Sequence, residues 1–192
     1  MKNIVAAPIR IAKAVIRTRS ILFFEKHGPE TLQSGNVVEL HKNELAALAA
    51  DPTLPWIGEL GSISDFAEGG RLFAFEREGA YVSFGWAVRA DKFHVGEIGG
   101  LVHVTNMPLW IWRCFTAPQH RGNGYYPILL AGIRRSMDET STLIYCSREN
   151  VASRRGISKA GFEDAFTLTK HRFFTICTNN RRKLYSGFEN VT

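Results

Sequence analysis

The sequence predicts a single α+β domain in which helices flank a mixed, mostly antiparallel central β-sheet. Its 192 residues are enough for one well-buried core and few for two domains. Patterns typical of antiparallel strands fill the middle of the chain, and strand and helix patterns alternate after them. We find no internal repeat and no low-complexity linker. This order favours one mixed-sheet α+β domain.

The composition is that of an ordinary globular protein. Apolar residues make up 45% of the chain and charged residues 22%. No run approaches the roughly 18 uncharged apolar residues that would span a bilayer. We therefore exclude a disordered chain, a coiled coil and a membrane-spanning protein as the class of this sequence.

The N-terminal segment predicts a basic amphipathic helix at residues 8–22. Apolar residues recur there at helical spacing, and Arg10, Lys13 and Arg17 line up beside them. Pro8 suits the first turn of such a helix. The helix is either a weak peripheral anchor on an anionic membrane surface or a terminal helix packed on its own domain. The same charges interrupt what would be the apolar core of a signal peptide, so we expect none.

The first half of the chain predicts short helices and a hairpin. The Asp51-Pro52 pair ends one helix, and two consecutive glycines close the next. The Glu78-Gly79 pair between two strand-like runs is typical of a β-hairpin. The predicted elements are strands at 21–24, 36–40, 71–75, 81–88 and within 93–104, and helices at 42–50 and 55–66.

The second half of the chain begins with the clearest strand pattern, and helix and strand patterns alternate after it. The run at 109–115 is rich in aromatic residues and is followed closely by Pro118, which cannot continue a central strand. A turn that contains glycines comes next. The elements predicted after that turn are helices at 125–137 and 151–159 and strands at 143–146 and 166–176.

The net charge of +6 is concentrated at the two ends of the chain. Residues 1–27 hold six basic residues and one acidic residue, and residues 170–183 hold five basic residues and no acidic one. The remaining 13 basic and 17 acidic residues leave the body of the protein mildly acidic. The basic isoelectric point is the only feature that suggests a nucleic-acid partner, so we expect none.

The three cysteines, Cys114, Cys146 and Cys177, lie too far apart for a C-x-x-C motif or a disulfide framework. Their number and spacing are typical of reduced thiols in a cytoplasmic protein. Strand alternation places Cys114 on the same face as Trp110 and Trp112, so we expect the first two cysteines to be core residues and not nucleophiles. The histidines show no metal-ligand spacing, and we expect no metal.

The clearest chemical signal is the segment that joins the strongest predicted strand to the helix after it. Residues 119–124 read QHRGNG. Gly122 and Gly124 let the backbone approach a ligand closely, and the start of a helix favours an anion such as phosphate. Arg121 adds a positive charge. The segment matches neither the dinucleotide fingerprint nor the nucleotide P-loop. Pro127 stands where the fingerprint needs a third glycine, and the Gly-Lys-Ser/Thr of a P-loop is absent.

This segment resembles the central motif Q/R-x-x-G-x-G/A of the GNAT superfamily of acyl-CoA-dependent N-acetyltransferases. Gln119, Gly122 and Gly124 occupy the matching positions. A second match follows at the family's distance, where residues 150–153 and 159–162 resemble the N-x-x-S/A and K-x-G-F elements that close the site. The bland alternative is a glycine turn beside a buried strand, with no ligand.

The resemblance covers about residues 36–176 and has no counterpart for the first 35 residues. It implies an N-terminal basic extension at residues 1–35, with a helix and a short strand, and an acetyltransferase domain at residues 36–192. It also implies a pair of strands that splay apart at the acyl-CoA site. Unpaired backbone donors at such a gap can stabilise the oxyanion that forms when an amine attacks a thioester.

The resemblance further implies how acetyl-CoA is held as a co-substrate. Backbone groups of Phe115 and Thr116 would contact the pantetheine arm. Asn150, Ser153 and Arg154 would flank the pantetheine and the phosphates from the other side. The pyrophosphate would lie against Gln119, His120, Arg121, Gly122, Asn123, Gly124 and Tyr125.

The sequence departs from the family's catalytic pattern in two respects. The family often places a tyrosine seven residues after the motif asparagine, where it protonates the departing thiolate, and that position is Ile157 here. The candidate substitutes are Tyr145, Cys146 and a water molecule, and Tyr145 is equally explained as a structural residue. The strand at 109–115 also lacks the carboxylate that often relays a proton from the amine.

Two candidate bases and one candidate acceptor-binding residue lie on or near the predicted strands. Glu97, between glycines, is either a base in a cleft or an exposed turn residue. His103 has a suitable pKa range. Arg113 stands in mid-strand among apolar neighbours, where it pairs either with a carboxylate or phosphate of the acceptor or with a buried acid of the protein.

These features predict an N-acetyltransferase that moves an acetyl group from acetyl-CoA to a primary amine by direct attack in a ternary complex. The expected partner is a small-molecule acceptor amine, with a small amine or an amino sugar favoured. A non-catalytic acyl-CoA-binding or regulatory module is the alternative, because the tyrosine and the strand carboxylate are absent. The oligomeric state is left open, with a homodimer among the options.

Overall fold

The computed structural model describes residues 18–33, 35–62, 64–139, 141–171, 174–179 and 188–192, with the backbone alone for 174–179 and 188–189. It confirms the predicted α+β class. The strands are β1 (Arg19–His27), β2 (Val37–Leu40), β3 (Arg71–Arg77), β4 (Ala80–Arg89), β5 (Lys92–Val95), β6 (Gly100–Val104), β7 (Leu109–Thr116), β8 (Ser141–Ser147), β9 (Glu163–His171), β10 (Phe174–Asn179) and β11 (Phe188–Val191). The α-helices are α1 (Lys42–Ala49), α2 (Ser64–Ala67), α3 (Tyr125–Ser136) and α4 (Val151–Lys159).

In the described part of the chain, the strands form two sheets. The main sheet has the order β10-β9-β1-β8-β7-β4-β3-β2, and the second sheet has the order β11-β6-β5. Neighbouring strands are antiparallel in every pair but one. The exception is the parallel pair of β7 and β8 in the middle of the main sheet. This pair positions the candidate site.

Helices α3 and α4 cover one face of the main sheet. Leu129 and Ile133 of α3 and Ile157 of α4 are fully buried there against apolar side chains of β3, β4, β7 and β8. The opposite face is covered in two parts. The second sheet packs on it through residues such as Val102, and α1 with a 3-10 helix packs on it through residues such as Leu45. The core therefore lies on both sides of the sheet.

The hairpin of β3 and β4 forms as its turn sequence predicts. Glu78 and Gly79 have φ values of 55° and 78°. A two-residue turn with positive φ at both positions matches the twist of the flanking strands. The helix predicted at 151–159 has the same bounds in the structure.

Strand β1 corrects the predicted domain boundary. It lies between β8 and β9 and pairs with both, so residues 19–27 are part of the domain and not of an extension before it. Ile21, Phe23 and Phe24 are buried on the two faces of the sheet. Of the helix predicted at 8–22, residues 8–17 lie outside the described residues. Residues 19–22 are strand, so the helix prediction is wrong there.

Two other elements differ from the sequence prediction. The helix predicted at 55–66 is divided into a 3-10 helix at Ile57–Leu60 and α2, because Gly61 between them has a φ of 98°. The single strand predicted at 166–176 is two antiparallel strands, β9 and β10, whose register begins at the pair His171–Phe174. Among the described helices, none is long and apolar enough to cross a membrane.

Candidate active site

The parallel strands β7 and β8 separate partway along their length. Their register ends at the pair Ile111–Ile144. Within the described residues, 112–116 then have β4 as their strand neighbour and 145–147 have β1. The facing edges of β7 and β8 therefore carry backbone groups without a partner strand. The predicted splayed strand pair is confirmed, and we call this opening the gap.

A β-bulge in β7 lies at the start of the gap. The register between β7 and β4 shifts between Phe84 and Trp86. Arg113, opposite this shift, has a φ of 45°. Positive φ is unfavourable for a residue with a side chain, and bulges often redirect side chains next to binding sites.

The bulge turns Cys114 toward the helix-covered face of the sheet. A Cβ atom on Gly85 would lie 3.1 Å from Cys114 Sγ and 3.1 Å from Ile133 Cδ1, so the sulfur packs beside α3. The prediction that Cys114 shares a face with Trp110 and Trp112 is therefore wrong. The extra residue of the bulge reverses the alternation that this prediction assumed.

A cavity of about 930 Å³ extends from the gap. At the gap it is bounded by β7, β8, α3 and α4, through Cys114, Tyr126, Cys146, Asn150 and Ser153. At its other end it is bounded by α2, β5 and the turn after β5. The lining side chains there include Asp65, Glu68, Phe93, His94, Glu97, Trp112 and Arg113. We call these the gap end and the acceptor end. The volume is in the range of small-molecule sites.

The glycine loop before α3 is open to a ligand. Gly122 and Gly124 have φ values of 83° and 77°, and a Cβ atom at either position would meet nothing within 4 Å. Gly124 is the N-cap residue of α3. The first N–H groups of a helix have no intrahelical acceptor, and they carry the positive end of its dipole. Open space beside free donors fits an anionic group such as a diphosphate.

Side chains within the loop hold its shape. Arg121 Nε donates to the Thr116 carbonyl oxygen at 3.0 Å, and its guanidinium lies 5.4 Å from the centre of the Phe115 ring. Asn123 Nδ2 donates to the carbonyl oxygen of His120 at 3.1 Å. The structure therefore places Arg121 and Asn123, both predicted to hold the pyrophosphate, in contact with their own loop.

The other groups near the loop that were predicted to hold acetyl-CoA also make contacts within the protein. Ser83 donates its hydroxyl to the Phe115 carbonyl oxygen at 3.3 Å, so the carbonyls of Phe115 and Thr116 each accept a side-chain hydrogen bond within the protein. A carbonyl oxygen has a second lone pair that can accept another. Gln119 is exposed on a short 3-10 helix, and the ring of Tyr125 packs on Phe75 at 5.2 Å.

Asn150, Ser153 and Arg154 meet at the start of α4. Asn150 Oδ1 accepts from the Ser153 N–H at 3.0 Å, which caps the helix. Ser153 Oγ faces the cavity and lies 3.5 Å from Tyr126 Oη. Arg154 Nε is buried without a hydrogen-bond partner in the described atoms. A buried donor without a partner is costly, and a bound acceptor would satisfy it.

The three candidate catalytic residues do not all lie at the cavity. Glu97 and Tyr145 both line the cavity. Burial, together with the negative charge of Glu97, raises the pKa of Tyr145, so its hydroxyl stays protonated. His103 lies on the second sheet, where its Nε2 is 2.9 Å from Thr192 Oγ1, and it is not among the residues that line the cavity.

The two described cysteines are free thiols. Burial raises the pKa of Cys114 to about 12 and also raises the pKa of Cys146. A thiol that keeps its proton is a poor nucleophile, so these values favour packing over covalent chemistry. In the described part of the chain, no group of three or more His, Cys, Asp or Glu side chains could hold a metal ion.

Arg113 forms an ion pair inside the cavity wall. Its Nη1 donates to Asp65 Oδ2 at 2.6 Å. A Cβ atom on Gly61 would lie 2.6 Å from Arg113 Nη1 and 2.8 Å from the same carboxylate oxygen, so a side chain at that position would displace the pair. Of the two roles that the sequence left open, the structure assigns Arg113 an acidic partner in the protein.

Sequence reasoning missed Tyr126, which lines the cavity at the gap end. It lies in the first turn of α3, two residues after the last glycine of the loop. The sequence shows only that a tyrosine follows the predicted phosphate loop by two residues. Its place at the gap is visible only in the tertiary structure, where α4 and both strands of the gap surround it.

Solved structures resemble this chain, and two of the three described below are GNAT-family acetyltransferases. A GNAT-family acetyltransferase from Novosphingobium aromaticivorans is 15% identical with a TM-score of 0.55, and the match covers 86% of this chain and 66% of that one. One from Colwellia psychrerythraea is 17% identical with a TM-score of 0.51, covering 87% and 57%. A functionally unknown protein from Staphylococcus epidermidis is 9% identical with a TM-score of 0.56, covering 90% and 66%.

The chain has the GNAT superfamily fold, as the sequence resemblance predicted. At these identities the likeness shows the fold alone. The match spans 57% to 66% of the length of these three proteins. No protein-family model matches the sequence, and no curated protein matches it.

Proposed function

We propose that the protein is an N-acetyltransferase that moves an acetyl group from acetyl-CoA to the primary amine of a small amine or an amino sugar. One observation carries the proposal. The gap between β7 and β8 opens into a cavity of small-molecule size, and one of the residues that line it, Tyr126, follows the glycine loop at the start of α3 by two positions. An elongated acyl donor with a charged diphosphate fits this combination.

On the donor side, the proposal is supported by unused hydrogen-bond donors. The first turn of α3 and the loop beside Gly122 and Gly124 offer backbone N–H groups to the diphosphate. Arg121 adds a positive charge nearby. Asn150 and Ser153 flank the gap, and Arg154 Nε is free to bind an acceptor atom of the donor.

In the proposed reaction, the amine nitrogen attacks the thioester carbonyl carbon in a ternary complex and the sulfur departs. A backbone N–H on the unpaired edge of β7 or β8 would stabilise the oxyanion. Glu97 is our candidate to accept the amine proton, since it lines the cavity and His103 does not. Phe93 and Trp112 give the acceptor end the aromatic faces that suit a small amine or a sugar.

Calorimetry with acetyl-CoA tests the donor site. Gly124→Val places a branched side chain at a φ of 77° beside the loop, and it should weaken acetyl-CoA binding at least tenfold. Gly28→Val is a matched control, because Gly28 has the same φ and the same open surroundings away from the cavity. Equal affinity in the unmodified protein and in Gly124→Val would overturn the donor-site assignment.

Thiol release from acetyl-CoA across a panel of small amines and amino sugars tests the reaction. Turnover with at least one acceptor, lost on addition of the Gly124→Val change, is the expected result. Tight acetyl-CoA binding without thiol release on any acceptor would instead favour a non-catalytic acyl-CoA-binding module.

A further inference from the structure

Tyr126 is a partly buried tyrosine at the gap end of the cavity for which the proposed reaction has no use. Its hydroxyl is surrounded by groups from the elements that bound the gap. Ser153 Oγ of α4 lies 3.5 Å away, and the Cys114 thiol of β7 and the Cys146 thiol of β8 are close enough to interact with it electrostatically. The hydroxyl is therefore directed into the gap between the strands.

The ring of Tyr126 packs closely on the neighbouring helix because a glycine there leaves room for it. A Cβ atom on Gly156 would lie 2.4 Å from Tyr126 Cδ1 and 2.9 Å from Cε1. The ring thus occupies the position that a side chain on α4 would fill. The next residue, Ile157, is fully buried in the core and offers no polar group to the gap. The hydroxyl beside α4 comes from α3 instead.

Tyr126 keeps its proton at neutral pH. Burial raises its pKa well above the ordinary value, and the nearby Cys114 and Cys146 raise it further, while the hydrogen bond with Ser153 lowers it. From α4, the positive charge of Arg154 acts to lower the pKa of Cys146, against the larger effect of burial. A protonated phenol can donate a hydrogen bond, and a sulfur atom can accept one.

The two tyrosines that line the cavity lie on different sides of the gap. Tyr145 packs on Phe23 and Phe93 and interacts with Glu97, which places it toward the acceptor end. Tyr126 lies on the loop side, beside Ser153. Tyr126 follows the last glycine of the loop by two residues, so a donor whose diphosphate is held by that loop would bring its sulfur into the gap past Tyr126.

We propose that the Tyr126 hydroxyl binds the sulfur of coenzyme A and protonates it when the thioester is cleaved. This inference rests on the proposed function. As the amine nitrogen bonds to the carbonyl carbon, the C–S bond breaks and its electron pair stays on sulfur. The Tyr126 proton moves to that sulfur and yields the free thiol. The amine gives up one proton to the base, and the phenolate regains one from solvent, so the protons balance.

The test measures the pKa of the thiol of bound coenzyme A, which needs no acceptor. Thiolate absorbance is followed against pH for coenzyme A bound to the unmodified protein and to Tyr126→Phe. We expect the thiol pKa in Tyr126→Phe to be higher by about one unit or more, since a hydrogen bond to a charged atom is worth about tenfold or more. Tyr81→Phe, outside the cavity lining, is the control and should leave the thiol pKa unchanged.

Desulfo-coenzyme A separates contact with sulfur from a structural role of the ring. It should bind the unmodified protein and Tyr126→Phe with affinities within about twofold, because it lacks the atom that Tyr126 contacts. Equal thiol pKa values in the two proteins, or a large loss of desulfo-coenzyme A binding in Tyr126→Phe, would overturn the role of Tyr126. Failure of the unmodified protein to bind coenzyme A at all would overturn the proposed function itself.

Discussion

At the scale of single residues, Arg134 of α3 illustrates how a buried charge is accommodated. Its side chain is 0% exposed, and its guanidinium donates to the carbonyl oxygens of Lys26 at 3.0 Å and Gly28 at 2.6 Å and to the hydroxyl of Thr142. Its Nε lies 3.1 Å from Glu30 Oε2. A buried charge is tolerated when its donors are matched in this way, and the cluster fixes the segment after β1 against α3.

Glu30 makes this cluster sensitive to acid. Burial alone would raise its pKa, but bonds from Lys26 and from the Leu32 N–H, together with the charge of Arg134, lower it below the ordinary value of 4.5. A carboxylate with a lowered folded-state pKa stabilises the protein above its unfolded pKa and loses that contribution as pH falls through the folded one. Glu30→Gln should therefore be less stable than the parent at pH 7.

Chemical denaturation from pH 7 down to about pH 3 tests this expectation. The difference in free energy of unfolding between the parent and Glu30→Gln should shrink as the pH falls below about 4.5, because the parent loses the charge that the variant lacks. The exposed Glu59 provides a matched Glu59→Gln control. A difference that stays constant over the whole range would contradict this account.

At the scale of elements, the approach of α3 to the sheet depends on Gly132. This glycine is buried in the middle of the helix, where glycine is usually unfavourable. A Cβ atom there would lie 2.3 Å from Val37 Cγ2 and 2.5 Å from Val37 Cβ. The missing side chain thus lets α3 pack directly on β2, the strand at the edge of the main sheet.

Gly132→Ala should lower the free energy of unfolding by about 1–3 kcal/mol, because overpacking outweighs the gain of about 1 kcal/mol in helix propensity. Val37→Ala removes two of the crowded carbon atoms and should restore part of the loss in the double variant. Gly58→Ala is the control, since nothing lies within 4 Å of its Cβ position. Urea denaturation of the parent, both single variants, the double variant and Gly58→Ala measures these differences, and a Gly132→Ala variant as stable as the parent would refute the packing argument.

At the scale of the whole molecule, β1 joins parts that are far apart in sequence. It pairs with β8 on one edge and β9 on the other, and its Phe23 stacks on Phe166 at a centroid distance of 4.3 Å. The gap depends on this arrangement, because β8 keeps its far edge paired to β1 while its near edge leaves β7. The first described strand therefore supports one wall of the candidate site.

Deletion of residues 1–35 should prevent folding. The remaining chain would expose the edges of β8 and β9 that pair with β1. It would also expose the apolar side chains that Phe23 and its neighbours cover. We expect no cooperative thermal transition by circular dichroism and poor dispersion in proton NMR spectra. A fragment of residues 36–192 with a cooperative transition near that of the full chain would show that the domain does not need β1.

Local signals account for the parts of the molecule that the sequence predicted well. The helix at 151–159 has its bounds because the Asn150 cap starts it and Gly161, with a φ of 80°, follows it. The glycine loop and the hairpin at Glu78 are likewise set by backbone preferences of neighbouring residues. These features depend on residues a few positions apart, so they can be read without knowing the fold.

Long-range packing accounts for what the sequence could not predict. The apolar, basic residues at 19–22 suit a helix in isolation, and they form a strand because β8 and β9 offer unpaired edges on both sides. The face of Cys114 is set by a bulge opposite Gly85, and the Arg113 side chain meets Asp65 from 48 residues away. No local pattern records such pairings.

The sequence by itself determined the class of fold, the glycine loop, the cap of α4 and the resemblance that they carry. Only the tertiary structure decided that β1 supports the gap, that Arg113 pairs with Asp65, and that Tyr126 reaches the gap over Gly156. The physical reason is distance along the chain. Turns, caps and helix starts satisfy backbone groups locally, whereas a cavity exists only where separate elements meet and fail to fill the space between them.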